Sequence, residues 1–159
     1  MKIYFLRHGI AEDRGTGQGE DIARPLSEQG KKLMAREAKG IAGLELEIGA
    51  IISSPFDRAY ETAKIVAGEL GMLDDLSRDE RLRPGFNMVL LAGLLRDRYG
   101  KKPLLLIGHE PDFSLTIGGL IGGGRVQIKK GSLICVDMKD ASGSSGELIF
   151  LLPAGALAR

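Results

Sequence analysis

Short apolar runs alternate along the chain with stretches whose apolar residues recur every three or four positions, the pattern of an α/β protein. Residues 2–6 predict a first strand and residues 50–52 a second. The unbroken run Leu104-Leu105-Leu106-Ile107 predicts a central parallel strand buried on both faces. Ser27 fits the N-cap of a helix whose apolar face carries Leu33, Met34, Ala38, Ile41 and Ala42. Ser54-Pro55-Phe56-Asp57 supplies a cap, a proline suited to the first helical position and an acid three residues after the cap. The helix it opens places Ala59, Ala63, Val66, Ala67 and Leu70 on one side. Residues 71–102 predict a short polar passage and one helix, with Met88, Leu91, Ala92 and Leu95 in register. Pro111 fits the first position of a further helix carrying Phe113, Ile117, Leu120 and Ile121, which the glycines of 118–124 end. Residues 132–138 and 148–152, around the polar stretch 140–146, predict a hairpin. Residues 9–23 are polar, and Gly15-Thr16-Gly17-Gln18-Gly19 at their centre predicts a mobile loop. The expected architecture is a three-layer α/β/α fold, with a mostly parallel central sheet and a C-terminal antiparallel hairpin, in a single domain over residues 1–159.

Composition narrows the function classes. The 159 residues carry 22 Lys+Arg against 21 Asp+Glu, a net charge of +1. Binding to nucleic acid through a basic face is driven by phosphate neutralisation, so this balance argues against a nucleic-acid partner. Cys135 is the one cysteine, set in the apolar run Leu133-Ile134-Cys135-Val136. It predicts a buried thiol rather than a nucleophile, and leaves no intrachain disulfide and no Cys-rich metal site. The N-terminal apolar stretch Ile3-Tyr4-Phe5-Leu6 is too short for a signal peptide or a membrane span, so a soluble, cytoplasmic protein without a membrane partner is expected. The chain has two histidines, so histidine chemistry must use His8, His109 or both.

Three polar segments share one position in this scheme. Arg7-His8-Gly9 follows the first strand, Ser53-Ser54-Pro55-Phe56-Asp57-Arg58 the second, and Gly108-His109-Glu110-Pro111 the apolar strand. Ligands of open α/β sheets bind beyond the carboxyl ends of parallel strands. If the three strands are parallel neighbours, Arg7, His8, Arg58 and His109 converge on one pocket. Two guanidinium groups grip phosphoryl oxygens through planar, multi-donor contacts, and helix starts add partial positive charge. Taken singly, either histidine is as readily a hydrogen-bonded structural residue, and Arg58 a solvated charge. Their joint placement calls for a phosphoryl group. The glycine clusters at 15–19 and 122–124 lack the Gly-x-Gly-x-x-Gly order between strand and helix, and Lys129-Lys130-Gly131-Ser132 is a solvated turn rather than a P-loop.

These segments resemble the histidine phosphatase superfamily: Arg7-His8-Gly9 after the first strand, Ser54-Pro55-Phe56-Asp57-Arg58-Ala59 with Glu61-Thr62, and Gly108-His109-Glu110-Pro111. Arg24-Pro25-Leu26-Ser27-Glu28-Gln29-Gly30 is similar to a segment of the SixA-type phosphohistidine phosphatase branch, and the match runs from Lys2 to about Leu152. The resemblance implies a phosphoglycerate mutase-like fold and a metal-independent phosphatase. His8 would be the nucleophile, with Arg7, Arg58 and His109 holding the phosphoryl oxygens. No cofactor is implied. Residues 71–102 leave little material for a cap, so the implied partner is a phosphorylated protein, such as a His-containing phosphotransfer domain. A small phosphate ester is the second reading, and a binding module that holds phosphate without turnover the third. Asp79-Glu80-Arg81-Leu82-Arg83-Pro84 corresponds to the stretch where the branch carries an acid, but Arg81 stands directly before Leu82. Glu80 is the candidate general acid, with Glu12 and Glu110 as alternatives.

Overall fold

The computed structural model describes residues 1–14, 20–99, 102–139 and 142–159; the loop expected at 15–19 lies outside the described residues. Its centre is a six-stranded sheet of β1 (Lys2–Arg7), β2 (Ala50–Ser53), β3 (Leu76–Arg78), β4 (Leu104–Gly108), β5 (Leu133–Met138) and β6 (Gly146–Leu152). The spatial order is β3-β2-β4-β1-β5-β6. The four strands from β3 to β1 are parallel, whereas β5 runs antiparallel to β1 and β6 antiparallel to β5. The apolar run at 104–108 therefore lies between β2 and β1, with Leu106 opposite both Ile52 and Phe5, and all five of its residues are buried.

Alternation along the strands supplies two cores. Ile3, Phe5, Ile52, Leu104 and Leu106 face one side, under α3 (Met88–Leu94) and α4 (Asp112–Leu120), where Leu91, Phe113 and Ile117 are buried. Phe113 meets Phe5 edge to face at a centroid distance of 5.2 Å, a favoured aromatic geometry. Tyr4, Leu6, Ile51, Leu105 and Ile107 face the other side, under α1 (Glu28–Gly43), α2 (Asp57–Glu69) and α5 (Ala154–Leu157). The result is a three-layer α/β/α fold with a C-terminal antiparallel hairpin, and Cys135 is buried in its second core. No helix among the described residues is long and apolar enough to cross a membrane.

The element boundaries differ from expectation where side chains are put to other use. Ser27 caps α1 as expected, its Oγ accepting from Gly30 N at 2.9 Å. Ser54 does not cap α2, which starts at Asp57. Its Oγ accepts from Phe56 N in the turn before the helix. Likewise α4 begins at Asp112, one residue after Pro111, and Glu110 Oε1 accepts from Ser114 N at 3.0 Å. Two elements carry no periodic signal: β3, a three-residue edge strand, and α5, whose Leu157 packs against α1.

Candidate active site

The carboxyl ends of β1, β2 and β4 lie side by side, and the backbone there fixes the turns that leave the sheet. His8 N donates to Gly108 O at 3.1 Å, Ser54 N to Ile107 O at 2.9 Å, and Gly9 N to Thr62 Oγ1 at 3.1 Å. Gly108 is required by packing, because a Cβ there would stand 2.6 Å from the Phe113 ring. These turns bring Arg7, His8, Arg58 and His109 to a single cavity of about 280 Å³, shared with Arg14, Asp21, Arg24, Pro84, Glu110 and Lys130.

His8 is buried and held at both ring nitrogens. Nδ1 lies 2.7 Å from Gly9 O, an acceptor only, so the ring proton sits on Nδ1. Nε2 keeps its lone pair and accepts from Arg58 Nε at 3.3 Å. Burial, against the pull of the Gly9 carbonyl and aided by Arg58, Arg7 and Lys130, lowers the His8 pKa from 6.5 to about 4. The ring is therefore neutral at neutral pH, with its unprotonated nitrogen accepting from a guanidinium.

His109 lies 5.2 Å from His8 between ring centroids. Its Nε2 is 2.8 Å from Ser54 Oγ, which accepts from Phe56 N and has a hydroxyl proton that can be donated to Nε2. With Ser54 as the donor, the His109 proton sits on Nδ1, which is buried and has no partner among the described residues. Burial first, then His8 and Arg58, lowers its pKa to about 3. Phe56 fills the space beside both groups, its ring centroid 5.2 Å from that of His109 and 5.0 Å from the Arg58 guanidinium carbon.

Arg58 is 4% exposed. Besides its contact to His8, it donates from Nη1 to Asp21 O at 2.9 Å and from Nη2 to Asp21 Oδ2 at 3.1 Å. Arg7 donates from Nη1 to Ile128 O at 2.8 Å, and its Nε is buried without a partner among the described residues. Burial lowers the pKa of both guanidinium groups below the ordinary arginine value, which in Arg58 is opposed by Asp21.

The three candidate acids separate in space. Glu110 lines the cavity, with its carboxylate on Ser114 N. Glu12 is exposed and meets the region through its backbone carbonyl, which accepts from Arg24 Nη1 at 3.2 Å. Glu80 does not line the cavity. The short turn Glu80–Leu82 buries Leu82 in the core, and this leaves Glu80 in solvent, 73% exposed and paired with Arg83 at 2.9 Å. Arg14, Asp21, Phe56 and Lys130 are residues of this cluster to which the sequence assigns no part in the site, and Ser54 is marked there only as a cap. Ser54 and Phe56 stand inside a quoted motif and Lys130 in the turn set aside as a P-loop, but Arg14 and Asp21 lie in a polar stretch with no pattern to mark them.

The chain belongs to the histidine phosphatase superfamily (branch 1), whose sequence model matches residues 3–98. It is 26% identical over 146 residues to the phosphohistidine phosphatase SixA of Escherichia coli, spanning 91% of this chain and 89% of that one. Its fold matches a solved protein histidine phosphatase SixA complexed with tungstate, with a TM-score of 0.83, 24% identity and 99% of each chain covered. It also matches a phosphoserine phosphatase of Entamoeba histolytica in complex with 3-phosphoglyceric acid, with a TM-score of 0.69, 17% identity and 98% of each chain covered.

Proposed function

We propose that this phosphatase works without a metal through a phosphohistidine formed on His8, and that its substrate is a phosphohistidine on a partner protein. The observation that carries this reading is the His8 ring, with its proton committed to Gly9 O and its Nε2 lone pair directed at Arg58. In the first step Nε2 attacks phosphorus. A bond from His8 to phosphorus forms, the bond from phosphorus to the substrate nitrogen breaks, and the departing imidazole takes a proton from solvent. In the second step water adds to phosphorus, the bond to His8 breaks, and inorganic phosphate leaves. Arg7, Arg58 and the His109 Nδ1–H donate to the phosphoryl oxygens, where charge is highest during transfer.

Two features favour a protein substrate. The described residues of 71–102 form β3, two short helical turns, α3 and the π-helical turn Leu95–Tyr99 that continues it, and among them Pro84 is the contribution to the cavity lining. A phosphohistidine also leaves as a neutral imidazole once protonated, so it does not demand the acid that Glu80 is too distant to supply. The likeness to a phosphoserine phosphatase favours a second reading, in which a small phosphate ester is hydrolysed at the same His8. We place the enzyme in the cytoplasm, where a lone, buried Cys135 stays reduced.

The test compares a His-containing phosphotransfer domain, phosphorylated on histidine, with a panel of metabolite phosphate esters. Higher kcat/KM on the phosphorylated domain, unchanged by a chelator, is expected. Efficient turnover of one small ester with none of the phosphoprotein overturns the protein-substrate reading. Phosphatase activity surviving in His8→Ala overturns the mechanism itself.

A further inference from the structure

Among the described residues, Arg58 is the one cavity arginine whose two terminal nitrogens are both held by a single residue. Its guanidinium offers two forks, an end fork of Nη1 and Nη2 and a side fork of Nε and Nη2. Asp21 takes the end fork with two different acceptors, its backbone carbonyl on Nη1 and its Oδ2 on Nη2. The side fork is left, and its Nε is the atom that faces His8 Nε2 at 3.3 Å. Asp21 is itself tied down. Arg24 Nε donates to its Oδ1 at 3.1 Å, Arg14 Nε stands 3.7 Å from the same oxygen, and Arg24 Nη1 reaches Glu12 O. A chain of contacts thus runs from Arg24 through Asp21 and Arg58 to the ring nitrogen of His8.

We infer that Asp21 is a positioning residue: it holds Arg58 by the end fork so that the side fork faces the phosphoryl group on His8, and Arg24 fixes Asp21 in turn. The inference rests on the phosphatase reading above. It gives a physical role to the Arg24-Pro25-Leu26-Ser27 stretch, in which Arg24 steadies an anion rather than meeting the substrate. It also makes a distinctive claim about charge. A carboxylate beside the pocket weakens the local positive field, so a competitor for the phosphoryl site would inhibit, whereas an anchor that never leaves the end fork assists.

The test measures tungstate binding by calorimetry and steady-state turnover in the wild type, Asp21→Asn, Arg24→Gln, Arg58→Ala and the double variant Asp21→Asn/Arg58→Ala. A loosened guanidinium misplaces donors by a fraction of an ångström or more, so Asp21→Asn is expected to lose roughly tenfold to a hundredfold in kcat. Tungstate affinity is expected to fall with it, and Arg24→Gln to show a smaller loss of the same kind. In the double variant Asp21→Asn adds nothing to the loss from Arg58→Ala, because residues acting through one group are not additive. That coupling separates positioning from general damage to the fold, and Arg24→Gln keeps the test open if Asp21→Asn does not fold. Tighter tungstate binding or faster turnover in Asp21→Asn shows a competitor and overturns the inference, as do additive losses. A wild type that binds tungstate but turns over nothing fails the phosphatase reading alone, and the affinities then judge Asp21. A wild type that neither binds nor turns over overturns both.

Discussion

Arg58 Nε and His8 Nε2 face each other across 3.3 Å, and the proton between them belongs to the arginine. A histidine that accepts from a guanidinium is one that resists protonation. Burial sets most of the shift, placing His8 near 4 and His109 near 3 in place of 6.5. The neutral forms therefore persist as pH falls through 6.5, and both rings charge only below about pH 5. The histidine ring resonances, followed by NMR from pH 8 to 3.5, are expected to stay flat across 6–7. A midpoint near 6.5 for His8 would show a solvated ring and remove the preformed nucleophile. Arg58→Ala is expected to raise the His8 midpoint only part of the way, because burial remains.

Ser54 connects two parts of the site that no helix cap would join. Its hydroxyl meets His109 Nε2 at 2.8 Å while accepting from Phe56 N. Ser54→Ala removes both, which frees the His109 tautomer and costs the half-buried Phe56 N–H its acceptor, at about 0.5–1.5 kcal/mol. Expected are a lower Tm and a fall in kcat of at least about tenfold, as for a lost transition-state donor. If kcat holds while Tm drops, Ser54 serves the fold alone and the Nδ1 assignment for His109 is wrong.

Gly108 tests the packing that sets His109 in place. Its missing Cβ leaves room for the Phe113 ring, and Phe113 in turn packs on Phe5 and Phe86. Gly108→Ala forces the ring aside, which for overpacking costs about 1–3 kcal/mol. Urea denaturation is expected to show a reduced midpoint, recovered in Gly108→Ala/Phe113→Leu, where the smaller side chain gives way. No recovery in the double variant would place the strain in the backbone rather than against the ring.

Strand ends were the legible part of this molecule. A run such as Leu104-Leu105-Leu106-Ile107 has one physical use, burial on both faces, and once it is central the polar residues after it must stand at the sheet's edge. His109, His8 and Arg58 follow from that placement and from the motifs. Asp21 was not legible, since a single carboxylate in a polar stretch has no period and its partner lies 37 residues away. Ser54 satisfies the local rule for a cap through Ser-Pro-x-Asp, while its hydroxyl is spent on a histidine 55 residues distant. Glu80 was sought by its place in a motif, but the burial of Leu82 two residues on turns it to solvent. In each case a contact between distant segments decides what local sequence leaves open.

Glu37, behind the site, supplies a pH dependence of the opposite sign. It lies on α1 and is 5% exposed, beside a cavity of about 350 Å³ lined by Ile10, Leu33, Met34 and Ala154 together with Arg7, Lys129 and Lys130. Its Oε2 is buried with no partner among the described residues, and its carboxylate stands against Gly131, which has φ +74° and no room for a Cβ. Burial raises its pKa from 4.5 to about 7. The folded protein therefore holds a proton that the unfolded chain has released between those values, so this group costs stability as pH rises from 4.5 to 7. By linkage the full cost is roughly 3 kcal/mol at most. Glu37→Gln keeps the shape and cannot ionise. Its Tm is expected to sit close to that of the wild type at pH 5 and above it by several degrees at pH 8, on the usual conversion for a domain of this size. The histidines titrate alike in both proteins and cancel in the difference. A gap that stays constant from pH 5 to 8 would mean that Glu37 ionises as easily in the fold as in the open chain, through a partner or water that satisfies its second oxygen.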